Sequence, residues 1–385
     1  MEAEVIVIGC GPAGFSAALG ASANGKDVTV ISNPASAAGF FSGAVFAPGH
    51  PYKAMDLFVD ALHDGGYTFK FHRNETKQIL AENGGAIETG IYSEMSGVSE
   101  TSNLFKKRVL FIGVENLREY IPELICSRFR EKYPGLTAGW GVRRIKLESI
   151  VRDAWISKIT LARLLEEKEY RARFIETILR LNDIMDYDAV IFPAVLGIDS
   201  SAEIFRELQK GLKPEIGELL SVIPSVNGIR LLRAIRMALK KRGINFIPSM
   251  GAGFTLSGRL ITGIKIAGDT KEIMNAGKII YAPGRFIGGG IKSGRQFVEP
   301  LFGLPIFNGK RALTGYEVLY NDSYWDEHAG FRVGVKVDEL LRPLNEYGEV
   351  FLENLFAAGS IIQQFSGVGM SGSVYSGYSA SQDAA

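Results

Sequence analysis

The stretch from Glu4 to Ser32, EVIVIGCGPAGFSAALGASANGKDVTVIS, constrains this chain more than any other. Val5, Ile6, Val7 and Ile8 form a continuous apolar run, as expected of a parallel strand buried on both faces. The chain then turns through Gly9, Gly11 and Gly14, and a small-residue helix follows to about Asn24. Gly25 and Lys26 end that helix, and Val28 to Ile31 read as a second strand. Strand, G-x-G-x-x-G, helix and strand in that order make the dinucleotide-binding βαβ fingerprint. Gly9 permits the tight turn, Gly11 lets backbone approach a pyrophosphate, and Gly14 lets helix and strand pack closely. A phosphate is expected on the helix N-terminus, where free N–H groups and the dipole favour an anion. Gly9, Gly11, Pro12, Ala13 and Gly14 are therefore the first expected cofactor contacts. The alternative, an ordinary glycine-rich loop, is disfavoured by the flanking strand and helix.

One element of the fingerprint is missing. The second strand should end in Asp or Glu to bind the adenosine ribose, and here it ends in Ser32 followed by Asn33. A hydroxyl can bond a ribose, though less strongly than a carboxylate. The phosphate site is thus better specified than the type of nucleotide.

Composition narrows the class. With 385 residues, 46% apolar and 22% charged, the chain has room for about two globular domains. A formal net charge of +1 gives no support for nucleic-acid binding through a strongly basic surface. The two cysteines, Cys10 and Cys126, form no C-x-x-C pair and cannot supply the four thiolates of an iron–sulfur cluster. Cys10 reads as a small filler in the glycine loop. The sequence has no H-E-x-x-H, G-x-S-x-G or Walker loop and no clustered metal ligands, which leaves metal hydrolases, serine hydrolases and P-loop NTPases without support. The first apolar run is broken by glycines, unlike a signal peptide, and no run of about 18 apolar residues occurs, so the expected location is cytoplasmic.

After the second strand, NPASAAGFFSGAVFAPGHP is a long small-residue loop, a kind that is uncommon unless it binds something. Ser42 and Gly43 within it could lie against a diphosphate or a flavin ring, or simply cross the surface. Helical spacing from Ala54 to about Asn83 predicts two helices broken by Asp64-Gly65-Gly66. Further elements are a strand at 109–114, a helix at 117–133, a strand at 142–147, two helices over 161–181 and a strand at 188–192. This middle third has no glycine fingerprint and reads as an inserted α/β cap or substrate domain, 86–223. From Pro224 a capped helix, a strand, a hairpin over 254–266 and a strand running into Gly284 return to the first domain. Residues 285–330 read as an excursion over the pocket. A last strand over 350–359 delivers Gly359 and Ser360, and the glycine run from Gly367 leads into a helix of which only a turn or two is expected, as in a chain that continues further. The expectation is an α/β fold, with a Rossmann-like flavin-binding domain formed by 1–85, 224–284 and 331–385.

Several runs resemble one flavoprotein family, the B subunit of the anaerobic glycerol-3-phosphate dehydrogenase, a relative of the fumarate reductase type. They are VIVIGCGPAGFSAAL, the FFSGAV loop, FPAVLGI (192–198), IPSVNGIRL (223–231), APGRFIGGGI (282–291), GVKVDELLRP (334–343) and ENLFAAGSI (353–361). IPSVNGIRL and VDELLRP are the more particular of these, whereas the glycine fingerprint and NLFAAG are shared by many flavoproteins. Ser32 and Ser360, where other flavoproteins carry acidic residues, also look like this family; residues 60 to 180 resemble it weakly. The resemblance implies flavin-linked oxidation of sn-glycerol 3-phosphate to dihydroxyacetone phosphate, with electrons passed to quinone. It implies two partners, a second flavoprotein dehydrogenase subunit and an iron–sulfur subunit that docks on the cytoplasmic face of the membrane. The family's flavin is described as FMN, whereas the βαβ unit predicts FAD; with no His or Cys in an attachment motif, either is expected to be non-covalent.

Alcohol oxidation by flavin needs a base for the hydroxyl proton. The four histidines are His50, His63, His72 and His328. His50 follows the FFSGAVFAPG loop and is the candidate base; His63 and His72 read as surface residues of a helical region. Arg230 and Arg342 lie in the two most particular runs and could grip a phosphate. Alternatively Arg230 sits on a solvated face, and Arg342 pairs with Asp338 or Glu339. Three readings remain open: a flavin dehydrogenase subunit, a flavin subunit that only relays electrons, and an NAD(P)-dependent or free-standing flavin reductase.

Overall fold

The computed structural model describes residues 2–33, 36–46, 52–136, 139–147, 155–267, 273–294, 297–309, 311–313, 330, 332–363 and 369–382. The chain divides into two compact units, Met1–Ala38 with Gly49–Gly65 and Ala234–Ala385, and Gly39–Pro48 with Gly66–Arg233.

The first unit is built on a seven-stranded sheet. Its parallel part runs Asn245–Ile247, β2 (Val28–Ile31), β1 (Glu2–Ile8), Ile273–Tyr281 and Leu355–Ala357. The antiparallel hairpin of Gly251–Ser257 and Leu260–Ile266 continues from the first half of Ile273–Tyr281. Ile6, Val7, Ile279 and Leu355 are fully buried, which explains the unbroken apolar runs of the sequence. Helix α1 (Pro12–Ala23) has proline in its first turn, and the chain leaves it through Asn24 and Gly25, the latter at φ +77°. All residues from Ala13 to Ala21 are buried, so the helix needs small side chains on every face. Its neighbour is the C-terminal helix Gly369–Gln382. A Cβ on Gly377 would stand 1.9 Å from the carbonyl oxygen of Ala13, and one on Gly20 would stand 2.0 Å from Ser381 Oγ. From Gly369 on, the glycine run near the C-terminus is therefore a close-packed helix of 14 residues rather than the turn or two expected.

The second unit holds a four-stranded parallel sheet, Glu215–Glu218, Ala189–Phe192, Val109–Val114 and Gly141–Ile145, with Val109–Val114 buried throughout. Helices Pro122–Lys132, Lys158–Leu164, Lys168–Leu179 and Ser201–Gly211 accompany it. The first of these starts at Pro122 rather than Leu117, since proline fits the first helical turn. The second helix expected before Asn83 is absent. Strands Phe69–Phe71 and Lys77–Leu80 take its place, and Lys77–Leu80 pairs with Ala86–Thr89 just beyond. Tyr67, Phe69 and Phe71 alternate with period two, and Tyr67 and Phe41 both pack against Phe69 with tilted rings. His72 follows the first of these strands; its Nε2 lies 3.2 Å from Tyr92 Oη and its Nδ1 3.2 Å from Glu75.

Beyond Ala189–Phe192 the loop 194–200 gives its N–H groups to three carboxylates. Glu82 accepts from Ala194, Glu218 from Val195 and Leu196, and Glu166 from Ile198, Asp199 and Ser200. Glu82 also binds the buried ammonium of Lys158, and Glu218 binds Arg230.

Candidate functional site

The parallel strands of the first unit release the chain at one edge of their sheet, the edge where open α/β sheets bind ligands. A cavity of about 660 Å³ opens there, within the range of small-molecule sites. Gly9, Gly11, Pro12, Ala13, Ser32, Gly284, Gly359 and Ser360 all line it, brought together from the ends of four strands. Gly14 does not line it and acts from behind: a Cβ there would stand 1.9 Å from the Gly9 carbonyl oxygen.

The three glycines of the fingerprint hold different positions. Gly9 has φ +101°, and a Cβ on it would meet the Ala282 carbonyl oxygen at 2.2 Å. Around Gly11 the nearest atom to such a Cβ is Ser36 Oγ at 3.4 Å, so its open side is the cavity itself. The N-terminus of α1 follows directly, with Gly11 as cap residue and no side chain bonded to the free N–H groups. That cradle of backbone fits a diphosphate. Gly369, Met370 and Ser373, at the N-terminus of the C-terminal helix, also line the cavity.

On the far side of the sheet edge, Ser32 is nearly buried and donates its hydroxyl to the Asn33 carbonyl. Gly359 has φ +76° and donates its N–H to Ser376 Oγ at 2.9 Å, and the Ser360 carbonyl accepts from Arg285 Nε at 3.0 Å. Burial lowers the Arg285 guanidinium from its ordinary range. Tyr281 lines the cavity and donates to the buried Glu299 at 2.6 Å; burial, then that carboxylate, push its hydroxyl well up. Cys10 also lines the cavity, and burial pushes its thiol up to about 12, so it stays protonated and poorly nucleophilic.

The remaining expected residues lie elsewhere. Ser42 and Gly43 belong to the second unit, where the Ser42 carbonyl accepts from Ser221 N–H and Asn227 Nδ2, each at 2.8 Å. Arg230, also of the second unit, is 2% exposed. Its guanidinium donates to both oxygens of Glu218, at 2.6 and 3.1 Å, and to Asn227 Oδ1 and the Gly197 carbonyl. Neither the solvated face nor the open phosphate grip describes that environment, because burial of a guanidinium demands a charged partner. Arg342 pairs with Asp338 at 2.7 Å and is not a lining residue. His50 and His328 lie outside the described residues. His63 is exposed on the helix Tyr52–Asp64.

Ser249, Met250, Gly251, Ile287, Lys292 and Leu301 line the cavity without having been expected to. For the first three a signal existed: they follow the strand Asn245–Ile247, which pairs with β2, so its C-terminal end falls at the same edge. Among the described residues there is no His/Cys/Asp/Glu group that could hold a metal ion, and no helix is long and apolar enough to cross a membrane.

This edge, with its glycine cradle at the start of α1, defines a nucleotide-binding α/β flavoprotein. The chain belongs to the FAD binding domain family, whose model matches residues 4–85 and 160–375, and FAD is its cofactor. It is similar to the B subunit of the anaerobic glycerol-3-phosphate dehydrogenase of Vibrio vulnificus, 25% identical, with 94% of this chain and 90% of that protein covered. The probable B subunit of the same enzyme in Halobacterium salinarum is likewise 25% identical, over 100% of this chain and 98% of the relative. Among solved structures, 3-ketosteroid delta1-dehydrogenase from Sterolibacterium denitrificans is 10% identical at a TM-score of 0.42, covering 100% of this chain and 99% of the other.

Proposed function

We propose that the chain is the FAD-holding subunit of a glycerol-3-phosphate dehydrogenase complex that oxidises sn-glycerol 3-phosphate to dihydroxyacetone phosphate and passes the electrons to quinone. The observation that carries this is the match to relatives of that name along 94–100% of the chain, together with the FAD family and its glycine cradle.

Bound FAD supplies the hydride acceptor for such a reaction. The chain's own residues bind and orient it. Backbone at Gly9 and Gly11 and the free N–H groups of α1 hold the diphosphate. Ile31, Ser32 and Asn33 face the adenosine end, and Gly284, Gly359 and Ser360 take the flavin end, beside the N-terminus of the helix Gly369–Gln382. Attachment is non-covalent, in keeping with a Cys10 held as thiol. In this reading His50 takes the hydroxyl proton, while Arg230 serves in a buried ion pair and Arg342 in a partly exposed one. A second flavoprotein dehydrogenase subunit and an iron–sulfur subunit complete the assembly, and through them the chain is peripheral to the cytoplasmic face of the membrane.

A second reading has an observation in its favour. Among the described lining residues there is no His, Asp or Glu, and the Tyr281 hydroxyl already donates its hydrogen bond to Glu299. A flavin that relays electrons without meeting substrate needs no base beside it. Anaerobic addition of glycerol 3-phosphate to the purified, FAD-loaded chain separates the two. Bleaching of the flavin band is the expected result, whereas an unreactive flavin leaves the relay. Purified alone, the chain is expected not to reduce quinone; reduction without partners would remove the need for them.

A further inference from the structure

Lys292 is the single formally charged side chain among the described residues of the cavity wall. It opens the short strand Lys292–Ser293, which pairs antiparallel with Phe297–Val298, so its backbone is fixed while its side chain is exposed. Lys77, Lys107 and Lys158 each meet a carboxylate. Lys292 makes no such pair among the described residues. Two helix N-termini, at Gly11 and at Gly369, share the wall, each carrying a partial positive charge of roughly half an electron. No Asp or Glu of the described wall offsets any of this, and Ser32 stands where a carboxylate is usual. The described wall thus presents only positive charge, which favours a ligand that brings negative charge.

The geometry points to Lys292 as the counter-charge for a phosphate group bound in this cavity. Two sources share that chemistry: the diphosphate of FAD and the phosphate of a phosphorylated polyol substrate, the latter resting on the function proposed above. An ammonium suits either, as a point charge with three donors on a flexible stem. A lysine here also gives the cavity a grip on phosphate that does not depend on the ribose.

The test uses the full chain as Lys292→Ala and Lys292→Arg, with Lys265→Ala, an exposed lysine outside the cavity wall, as the control for net charge. Apoprotein is titrated with FAD and with ADP, and FAD-loaded protein with glycerol 3-phosphate, at low and high salt. The expected result is weakening of about tenfold or more in Lys292→Ala, the scale of a charged hydrogen bond. Lys292→Arg restores most of it, Lys265→Ala does not reproduce it, and high salt shrinks the difference. Weakened FAD and ADP assign the cofactor's diphosphate; unchanged FAD with weakened glycerol 3-phosphate assigns the substrate's phosphate. Binding of all three ligands within about twofold of wild type overturns the inference. The wild-type titrations run alongside, so failure of the FAD or substrate assignment shows in wild type, and failure of this one only in the variant.

Discussion

The carbonyl oxygen of Gly9 stands 1.9 Å from the point where a Cβ on Gly14 would lie. Turn and helix thus meet backbone to backbone, and this contact sets the position of the α1 N-terminus relative to β1. Gly11, three residues earlier, meets nothing closer than Ser36 Oγ at 3.4 Å.

That contrast predicts opposite failures. Gly14→Ala should lower stability by about 1–3 kcal/mol, the cost of forcing atoms into a packed site, and should disturb FAD binding as a consequence. Gly11→Val should leave the melting temperature of the apoprotein nearly unchanged and abolish flavin absorbance, because its side chain enters the cavity. A Gly11→Val protein with full flavin would place the diphosphate elsewhere.

Arg230 predicts a stability effect without a cofactor effect. Arg230→Met leaves Glu218 buried and unpaired, which typically costs about 3–5 kcal/mol. The double variant with Glu218→Gln removes the stranded charge while keeping an oxygen for the Val195 and Leu196 N–H groups, and should regain part of that loss. Urea unfolding measures both, and FAD affinity of the folded fraction should match wild type. Loss of FAD from well-folded Arg230→Met would return this arginine to ligand binding.

Glu166 predicts an acid dependence. Burial alone would raise its carboxyl, but the N–H groups of Ile198, Asp199 and Ser200 and the Ser200 hydroxyl outweigh that and hold it below the ordinary 4.5. The unfolded chain therefore binds the proton more readily than the folded one. The stabilisation is fully present above 4.5 and fades as pH falls through the lower folded value. Glu166→Gln should be less stable than wild type at pH 7, and the two curves should converge on acidification below 4.5. A difference that stays constant with pH would mean that the ionised form is not what the loop requires.

Gly377 ties the two helices of the cavity wall. Gly377→Ala sets a methyl 1.9 Å from the Ala13 carbonyl oxygen, so the helices must part. A loss of about 1–3 kcal/mol is expected, with weaker FAD binding as well, since Ala13 and Met370 both line the cavity. Calorimetry and fluorescence titration should move together; a stability loss with unchanged FAD affinity would uncouple the helix crossing from the site.

The glycine cradle was legible in the sequence because its determinants are local: a strand, three glycines at fixed spacing and a helix. The alternation Tyr67, Phe69, Phe71 was equally local but was overridden by a helical period carried past Gly65-Gly66, which cost the strands Phe69–Phe71 and Lys77–Leu80. Arg230 was not legible. Its partner Glu218 lies outside the helix Val226–Lys241, so no helical spacing announces the pair, and a charged residue on a helix reads as exposed. Lys292 was illegible for a similar reason, since only the chain's return past Gly284 brings it to the edge formed by β1 and β2.

The three carboxylates on loop 194–200 have a consequence for synthesis of the chain. Glu82 precedes Ala194 by 112 residues and Glu166 precedes Ile198 by 32, whereas Glu218 lies 23 residues beyond Val195. Arg230, which neutralises Glu218, is 12 residues further still. As the chain leaves the ribosome, Ala194 and Ile198 can be fastened while Val195 and Leu196 wait, and Glu218 emerges before the guanidinium that lets it be buried. On a nascent chain the burial of Glu218 with its charged partner therefore waits for the helix that begins at Val226, and that partner, Arg230, lies close to the C-terminal end of the second unit at Arg233.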